Sequence, residues 1–341
     1  MIEPRRYLHR APWVVPLTDD LPVVIADGAV LTEEARIVRV APYAELRDSE
    51  ATLVEHREKV LLPPLINCHT HLELSHLARL GQGEVGTGAM ANWIRLLLAE
   101  RALPVDPEEV RMAAWQALAQ LYAGGCRAVL DIGNDPGSAG IGANFKVETR
   151  FFLEFFGLSA ARAADQAATL AELPGSQAVA GHAPYSTHPE LLKLLKERAG
   201  QNGQLLPVHL AESADELEFL ATGHGPFREL LEERGGWDGS FDAPGLSSVN
   251  YLANLGLLDN LTLAVHCVQV DAHDIDLLAR SGATVCLCPV SNRFLGVGRA
   301  PVPALLAAGV PLVLGSDSLA SNPALDLWAE MRQLTEDHPG L

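Results

Sequence analysis

The sequence predicts a (β/α)8 barrel preceded by a short strand-rich segment, on three observations. Eight strand-length apolar runs recur between about residue 60 and Asp317. Helix-patterned stretches separate most of them, and several, such as "PELLKLLKERAG" and "PALLAAG", close on a glycine as a helix C-cap does. The runs are apolar throughout rather than alternating, which suits strands covered on both faces by helices. Eight strand–helix units spread over about 280 residues match a barrel of this type.

Taken in order, residues 1–60 read as a small β domain. Its strands are expected from Pro22 to Val60, where "LPVVIADGAVL" and "ARIVRV" are β-branched and broken by Asp27-Gly28 and by Thr32-Glu33-Glu34. The barrel is expected over 61–341. Its strands are "KVLLPPLIN", "CRAVLDIG", "TRFFLEFFG", "QAVAGHA", "QLLPVHLAE", "LTLAVHC", "ATVCLCP" and "VPLVLGSD". The stretch 222–248 exceeds ordinary loop length and is expected over the barrel mouth, as a lid or an interface. No 20–50-residue repeat and no low-complexity segment interrupts this pattern.

Composition narrows the function. The 341 residues, 48% hydrophobic and 20% charged, can bury a sizeable core. A formal charge of −18 argues against nucleic acid or an acidic membrane surface as partner. Cys68, Cys126, Cys267, Cys286 and Cys288 form no CxxC pair, which disfavours a thiolate zinc site and fits a reducing compartment. The first 20 residues lack the apolar core of a signal peptide, and no apolar run nears the roughly 20 residues of a membrane span. The expectation is a cytoplasmic enzyme acting on a small molecule, with a homodimer as the candidate assembly.

Chemistry in such a barrel gathers at the C-terminal ends of the strands. Read in order, those ends offer His69 and His71, then His182, His209 with Glu212, His266, and Asp317. Residues i and i+2 of a strand point the same way, so His69 and His71 can grip one cation together. His209 and Asp317 would complete a set of three imidazoles and one carboxylate. That set suits one Zn²⁺ per subunit, with Fe²⁺ or Mn²⁺ as alternatives. An ion so held lowers the pKa of its water to roughly 7. Glu212 is then placed to shuttle a proton, and His266 to orient the water or stabilise charge. Singly, each has a plainer reading: an HxH pair is weak evidence, a lone histidine is usually structural, and Asp317 could cap a helix. Their joint occurrence in one register carries the metal site. His9, His56, His188, His224, His273 and His338 lack such placement and are read as structural. His76 follows the first strand too closely to be decided.

These motifs resemble a known family. "HTH" after a Pro-containing apolar strand, then "HLAE", "VHC" and "GSDS", resemble the amidohydrolase superfamily over nearly the whole chain. "CPVSNRFLGVG" and "SDSLASN" resemble its branch of nucleobase and nucleoside deaminases and chlorohydrolase-type enzymes. The resemblance implies a flanking β-sandwich contributed in part by residues 1–60. It also implies one metal on His69, His71, His209 and Asp317, with Glu212 as proton shuttle and His266 beside the hydrolytic water. His182 stands where that branch contacts the heterocycle or its sugar, and no bridging lysine occupies that strand end. More narrowly, "HTHLELS" and "HAPYST" are similar to aminodeoxyfutalosine deaminases of menaquinone biosynthesis. On that likeness Glu73, Ser75 and Tyr185 line the substrate side, with Ser291 and Asn292 as further substrate positions. The family continues well beyond the strand-eight aspartate, whereas this sequence ends at Leu341, leaving the completeness of the small domain open.

The expected reaction is hydrolytic deamination of an aminated purine nucleoside, 6-amino-6-deoxyfutalosine first, with release of ammonia. The same activated water would serve a rival reaction on a cyclic amide such as an imidazolone, or on a carbon–halogen bond. A barrel kept only for binding would have lost Glu212 and His266, and both are present. The other zinc-deaminase solution, H-x-E with P-C-x-x-C, lacks its second half here.

Overall fold

The computed structural model describes residues 5–18, 20–83, 90–135 and 140–341, in two compact units, Met1–Pro64 and Leu65–Leu341. In the first unit, β1 (Arg6–Val14) lies inside a mixed sheet. It pairs antiparallel with β2 (Ile25–Glu33), and β2 pairs antiparallel with β3 (Arg36–Pro42). β4 (Thr52–Glu55) and β5 (Val60–Leu61) run parallel to β1. Leu8, Ala29, Leu31, Ala41 and Leu46 form its core.

Two expectations are corrected here. Strands were expected only from Pro22 onward, yet β1 precedes that and makes most of the pairings, because basic and aromatic side chains mask its period. Asp27-Gly28 does not break a strand, since β2 runs through it. A Cβ on Gly28 would sit 2.6 Å from Val14 Cγ2, so the glycine lets β1 approach. The turn falls at the second expected break, at Glu34, whose φ is +53°.

The second unit is the (β/α)8 barrel. Its strands are β6 (Leu65–Thr70), β7 (Cys126–Gly133), β8 (Glu148–Phe155), β9 (Ala178–Gly181), β10 (Leu206–Leu210), β11 (Thr262–His266), β12 (Thr284–Leu287) and β13 (Leu312–Leu314). All pair parallel in sequence order. A parallel bridge between Thr70 and Asp317 closes the ring, and the Ser316 and Asp317 N–H groups both donate to His69 O at 3.0 Å. Closure therefore ties the strand of His69 to the strand that leads to Asp317.

The helices follow their sequence signals. Asp106, Ser159 and Ser213 cap the helices Pro107–Ala123, Ala160–Glu172 and Ala214–Thr222 by accepting first-turn N–H groups. Between β7 and β8 the described residues hold only a 3-10 segment, Ile141–Phe145. The stretch 222–248 contains the helix Pro226–Glu233, and its Phe241 stacks on Phe219 of the preceding helix at 5.7 Å. Arg95 of the helix Met90–Arg101 binds Glu233 of that stretch at 2.7 Å. No helix among the described residues is long and apolar enough to cross a membrane.

Candidate metal centre and active site

β6 delivers His69 and His71, two positions apart, to the barrel mouth, and β10 delivers His209 beside them. One ligand atom from each of the three lies within 4.8 Å of the others. His69 Nε2 is 3.3 Å from His209 Nε2, and Asp317 Oδ1 is 3.6 Å from the Nε2 atoms of both His69 and His71. All four residues are buried.

The backbone orients these rings. His71 Nδ1 donates to Ile132 O at 2.9 Å and His209 Nδ1 donates to His182 O at 2.8 Å. Each bond fixes the proton on Nδ1 and leaves Nε2 as a lone pair facing the centre. His69 Nδ1 is buried with no hydrogen-bond partner among the described residues. Burial lowers His69 to about 4, Asp317 opposing, and also lowers His209 well below its ordinary value, with the help of neighbouring imidazoles. The His69 and His209 rings are therefore neutral at pH 7. Burial would raise Asp317, but His69, His71 and His266 outweigh it and keep the carboxyl well below its ordinary range.

Neutral lone pairs and an ionised oxygen crowded at 3.3–3.6 Å repel one another unless a cation lies between them. Three nitrogens and one oxygen suit a divalent transition ion, and this donor set fits it. The second Asp317 oxygen, Oδ2, accepts from Ser291 Oγ at 2.6 Å and from Ser321 Oγ at 2.9 Å.

Glu212 and His266 stand beside this centre, His266 Nε2 lying 3.5 Å from Glu212 Oε1. Burial, then the charges of Asp317 and Glu216, raise Glu212 well above an ordinary carboxyl. The Glu216 carboxylate receives the Ala211 and Glu212 N–H groups, each at 2.9 Å. His266 Nδ1 donates to Asn292 Oδ1 at 2.9 Å, which leaves Nε2 as the acceptor toward Glu212.

A cavity of about 320 Å³ opens from these groups. His71, Glu73, His182, Tyr185, His209, Glu212, His266 and Asp317 line it, as the sequence reading placed them. His182 Nδ1 meets Ser186 Oγ at 2.5 Å, and burial lowers its pKa while Glu154 opposes the shift. Tyr185 stacks on Phe227 with ring centroids 4.0 Å apart. The Glu73 carboxylate is largely occupied, accepting from Asn134 N and Asp135 N at 2.8 Å and from Arg101 at 3.1 Å.

Three expected substrate positions stand elsewhere. Ser75 is buried behind the cavity wall without a partner for its Oγ. Ser291 and Asn292 lie under the rim, fully enclosed, where they hold Asp317 and His266. Their helix, Pro289–Leu295, starts directly after β12, and its first turn faces inward rather than toward the cavity. The sequence reading also missed Glu216, which looks like a solvated helix residue, and Glu154, enclosed in the aromatic run "FFLEFF".

A (β/α)8 barrel whose strand ends gather three imidazoles, an ionised aspartate and a buried glutamate defines a metal-dependent hydrolase. The family model "Amidohydrolase family" matches residues 60–341, and the chain belongs to that family, whose members hydrolyse C–N bonds. A 5-methylthioadenosine/S-adenosylhomocysteine deaminase of Nitratidesulfovibrio vulgaris is 29% identical over 333 residues, covering 92% of this chain and 69% of its own. An aminodeoxyfutalosine deaminase of Deinococcus radiodurans is 35% identical over 186 residues, covering 50% of this chain and 42% of its own. The crystal structure of Helicobacter pylori aminofutalosine deaminase with methylthio-coformycin superposes with a TM-score of 0.83 at 23% identity. It covers 98% of this chain and 82% of its own, and at that identity shows the fold alone.

Proposed function

We propose that the protein hydrolytically deaminates a 6-aminopurine nucleoside carrying an apolar, anion-ended 5′ substituent, with 6-amino-6-deoxyfutalosine the substrate that fits best. Relatives named for methylthioadenosine, S-adenosylhomocysteine, 5′-deoxyadenosine and aminodeoxyfutalosine share the adenine-nucleoside part. The observation that carries the finer reading is the lining of the cavity. Besides the polar groups already named, Trp93, Phe156, Leu158 and Leu230 give it an apolar wall, and Arg162 and Arg234 line it too. Neither guanidinium has an ion pair among the described residues, and the 238–240 loop following Arg234 touches the start of Arg162's helix through Asp238 and Ser240. A benzoate on the 5′ side would place its ring on that wall and its carboxylate at the arginines, a pairing guanidinium favours.

His69, His71, His209 and Asp317 would hold a divalent ion, zinc first and iron(II) or manganese next, which would supply a water acidified to near neutral pH. The chain's own groups do the rest. Glu212 takes the proton of the attacking water and hands it to the purine ring nitrogen beside the amino-bearing carbon. His266, its tautomer fixed by Asn292, accepts from the attacking water and keeps it aimed. The C–O bond forms first at the amino-bearing carbon; the new hydroxyl's proton then passes by way of Glu212 to the amino group, and the C–N bond breaks to release ammonia and leave the 6-oxo purine. His182 meets the base or sugar from the β9 side.

The test is ammonia release from metal-replete protein with adenosine, 5′-methylthioadenosine, S-adenosylhomocysteine, aminodeoxyfutalosine, guanine and cytosine. The expected result is a kcat/KM of at least ~10⁴ M⁻¹s⁻¹ on aminodeoxyfutalosine. That value should drop about tenfold or more in Arg162→Ala or Arg234→Ala, mostly through KM. Activity unaffected by either arginine removes the anionic tail from the proposal. No ammonia from any nucleoside, with ring opening of a cyclic amide or release of halide instead, overturns the deaminase reading.

A further inference from the structure

We infer that Glu154 accepts a hydrogen bond from a sugar hydroxyl of the bound nucleoside and so sets the enzyme's preference for ribosides. This inference rests on the deaminase reading above.

Glu154 lies on β8 two residues after Phe152, so the two share a face. Phe152 packs with Ile132, Ala178 and Ala180 inside the barrel, which directs Glu154 inward one step nearer the mouth. Glu154 lines the cavity, and its carboxylate shares a group within 4.8 Å with nitrogens of His182 and His209. Its Oε1 is buried and makes no hydrogen bond. The neighbouring donors are engaged elsewhere. His182 Nδ1 is taken by Ser186, His209 Nδ1 by His182 O, and Arg101 by Glu73. Asn134 Nδ2 reaches Glu154 but bonds its backbone oxygen. A buried carboxylate oxygen left without a donor is costly, and at a ligand cavity the missing donor belongs to the ligand.

The chemistry of a 6-aminopurine nucleoside limits what that donor is. The ring nitrogens N1, N3 and N7 only accept. The donors are the 6-amino group and the sugar hydroxyls. The amino-bearing carbon must sit by Glu212, His266 and Asp317, at the ends of β10, β11 and β13. In the closed strand order β8 lies across the barrel from β12, two strands from β10 and three from β11 and β13. The chain leaving Glu154 supplies Phe156, Leu158 and Arg162, the wall expected to hold the 5′ substituent. Glu154 thus stands between the reacting end and the tail wall, where a nucleoside carries its sugar.

The experiment compares the riboside with its 2′-deoxy and 3′-deoxy analogues, all bearing one 5′ substituent, on wild type, Glu154→Gln and Glu154→Ala. A hydrogen bond to a charged acceptor predicts that wild type prefers the riboside over one deoxy analogue by about 10- to 100-fold in kcat/KM, mostly in KM. In Glu154→Ala that ratio should collapse toward one, with Glu154→Gln between, while metal content equals that of wild type. The assignment is overturned if the variants keep the wild-type ratio. It is overturned too if kcat falls alike on all three substrates with KM unchanged, or if the variants lose metal, which would make Glu154 a ligand. Wild-type protein inactive on every nucleoside refutes the deaminase reading and this inference with it.

Discussion

Replacing Glu216 with alanine should loosen the turn that carries Glu212. Both carboxylate oxygens of Glu216 are buried, and each accepts one backbone N–H at 2.9 Å, from Ala211 and from Glu212. Ala211 sits at φ +52°, a left-handed conformation that an alanine holds only under constraint. Two bonds to a charged acceptor contribute about 3–6 kcal/mol, and burying the carboxylate offsets part of this, leaving about 2–4 kcal/mol. At roughly 2–4 °C per kcal/mol, Tm should fall by about 5–15 °C. The same loss frees the backbone beneath Glu212, and a displacement near 1 Å costs about 10²-fold in rate. Calorimetry and ammonia release on metal-replete Glu216→Ala read both quantities. Glu216→Gln, which keeps one acceptor, should fall between. A Tm within about 1 °C of wild type would refute the argument that this carboxylate holds the turn, and a lowered Tm with undiminished kcat/KM would sever the turn from catalysis.

Glu212→Gln should lose about 10²–10⁴-fold in kcat while keeping its metal and a Tm no lower than wild type, because a neutral amide replaces a carboxyl whose ionisation burial opposes. Calorimetry and metal analysis on the purified variant check this. Ser291→Ala removes the 2.6 Å bond to Asp317 Oδ2 and should weaken metal binding about 10- to 100-fold, read by competition with a chromophoric chelator. In the small unit, His9 Nδ1 lies 3.0 Å from His56 Nε2, and burial, then His56, lower the His9 pKa below 6.5. Just below pH 6.5 the unfolded chain therefore binds more protons than the folded one, and stability falls as pH drops through that window. His9→Asn should lose less Tm than wild type between pH 7 and 5.5, and an equal loss would show that the pair does not titrate on unfolding.

The candidate metal ligands were legible because a strand repeats every two residues and a barrel puts its chemistry at strand ends, so the clustering of His69, His71, His209 and Asp317 could be read from position. Glu154 obeys the same parity but hides among phenylalanines, one residue before its strand stops. Glu216 was illegible for a different reason. A glutamate in the first turn of a helix usually faces water, and only the tertiary fold shows that its carboxylate turns back onto the preceding strand end. Ser291 and Asn292 were found by motif yet given the wrong task. A sequence signals that a polar residue belongs near a site, but not whether it faces the cavity or supports a group that does. β1 was missed because its pattern of basic and aromatic residues reads as neither strand nor helix, while its pairing with three other strands makes it the centre of the small sheet.

The same rim explains why the backbone departs from ordinary geometry there. Among the described residues, Ala211, His266, Cys267 and Asp317 all adopt positive φ, at the exits of β10, β11 and β13. Each such residue costs on the order of 1 kcal/mol or more and persists only where its surroundings over-determine it. The surroundings are visible. Cys267 N donates to Leu210 O at 3.0 Å, Gln269 N to Ala211 O at 2.7 Å, and Asp317 N to His69 O at 3.0 Å, while Thr70 Oγ1 donates to Asp317 O at 2.9 Å. Neighbouring strand exits thus lock one another. A strand that simply continued would carry alternate residues away from the axis. The left-handed break instead bends the chain over the mouth, so that Glu212, His266 and Asp317 line one cavity beside the metal ligands. Strain at the exits and hydrogen bonds between them are one device: the barrel supplies the rigidity, and the breaks convert strand ends into a site.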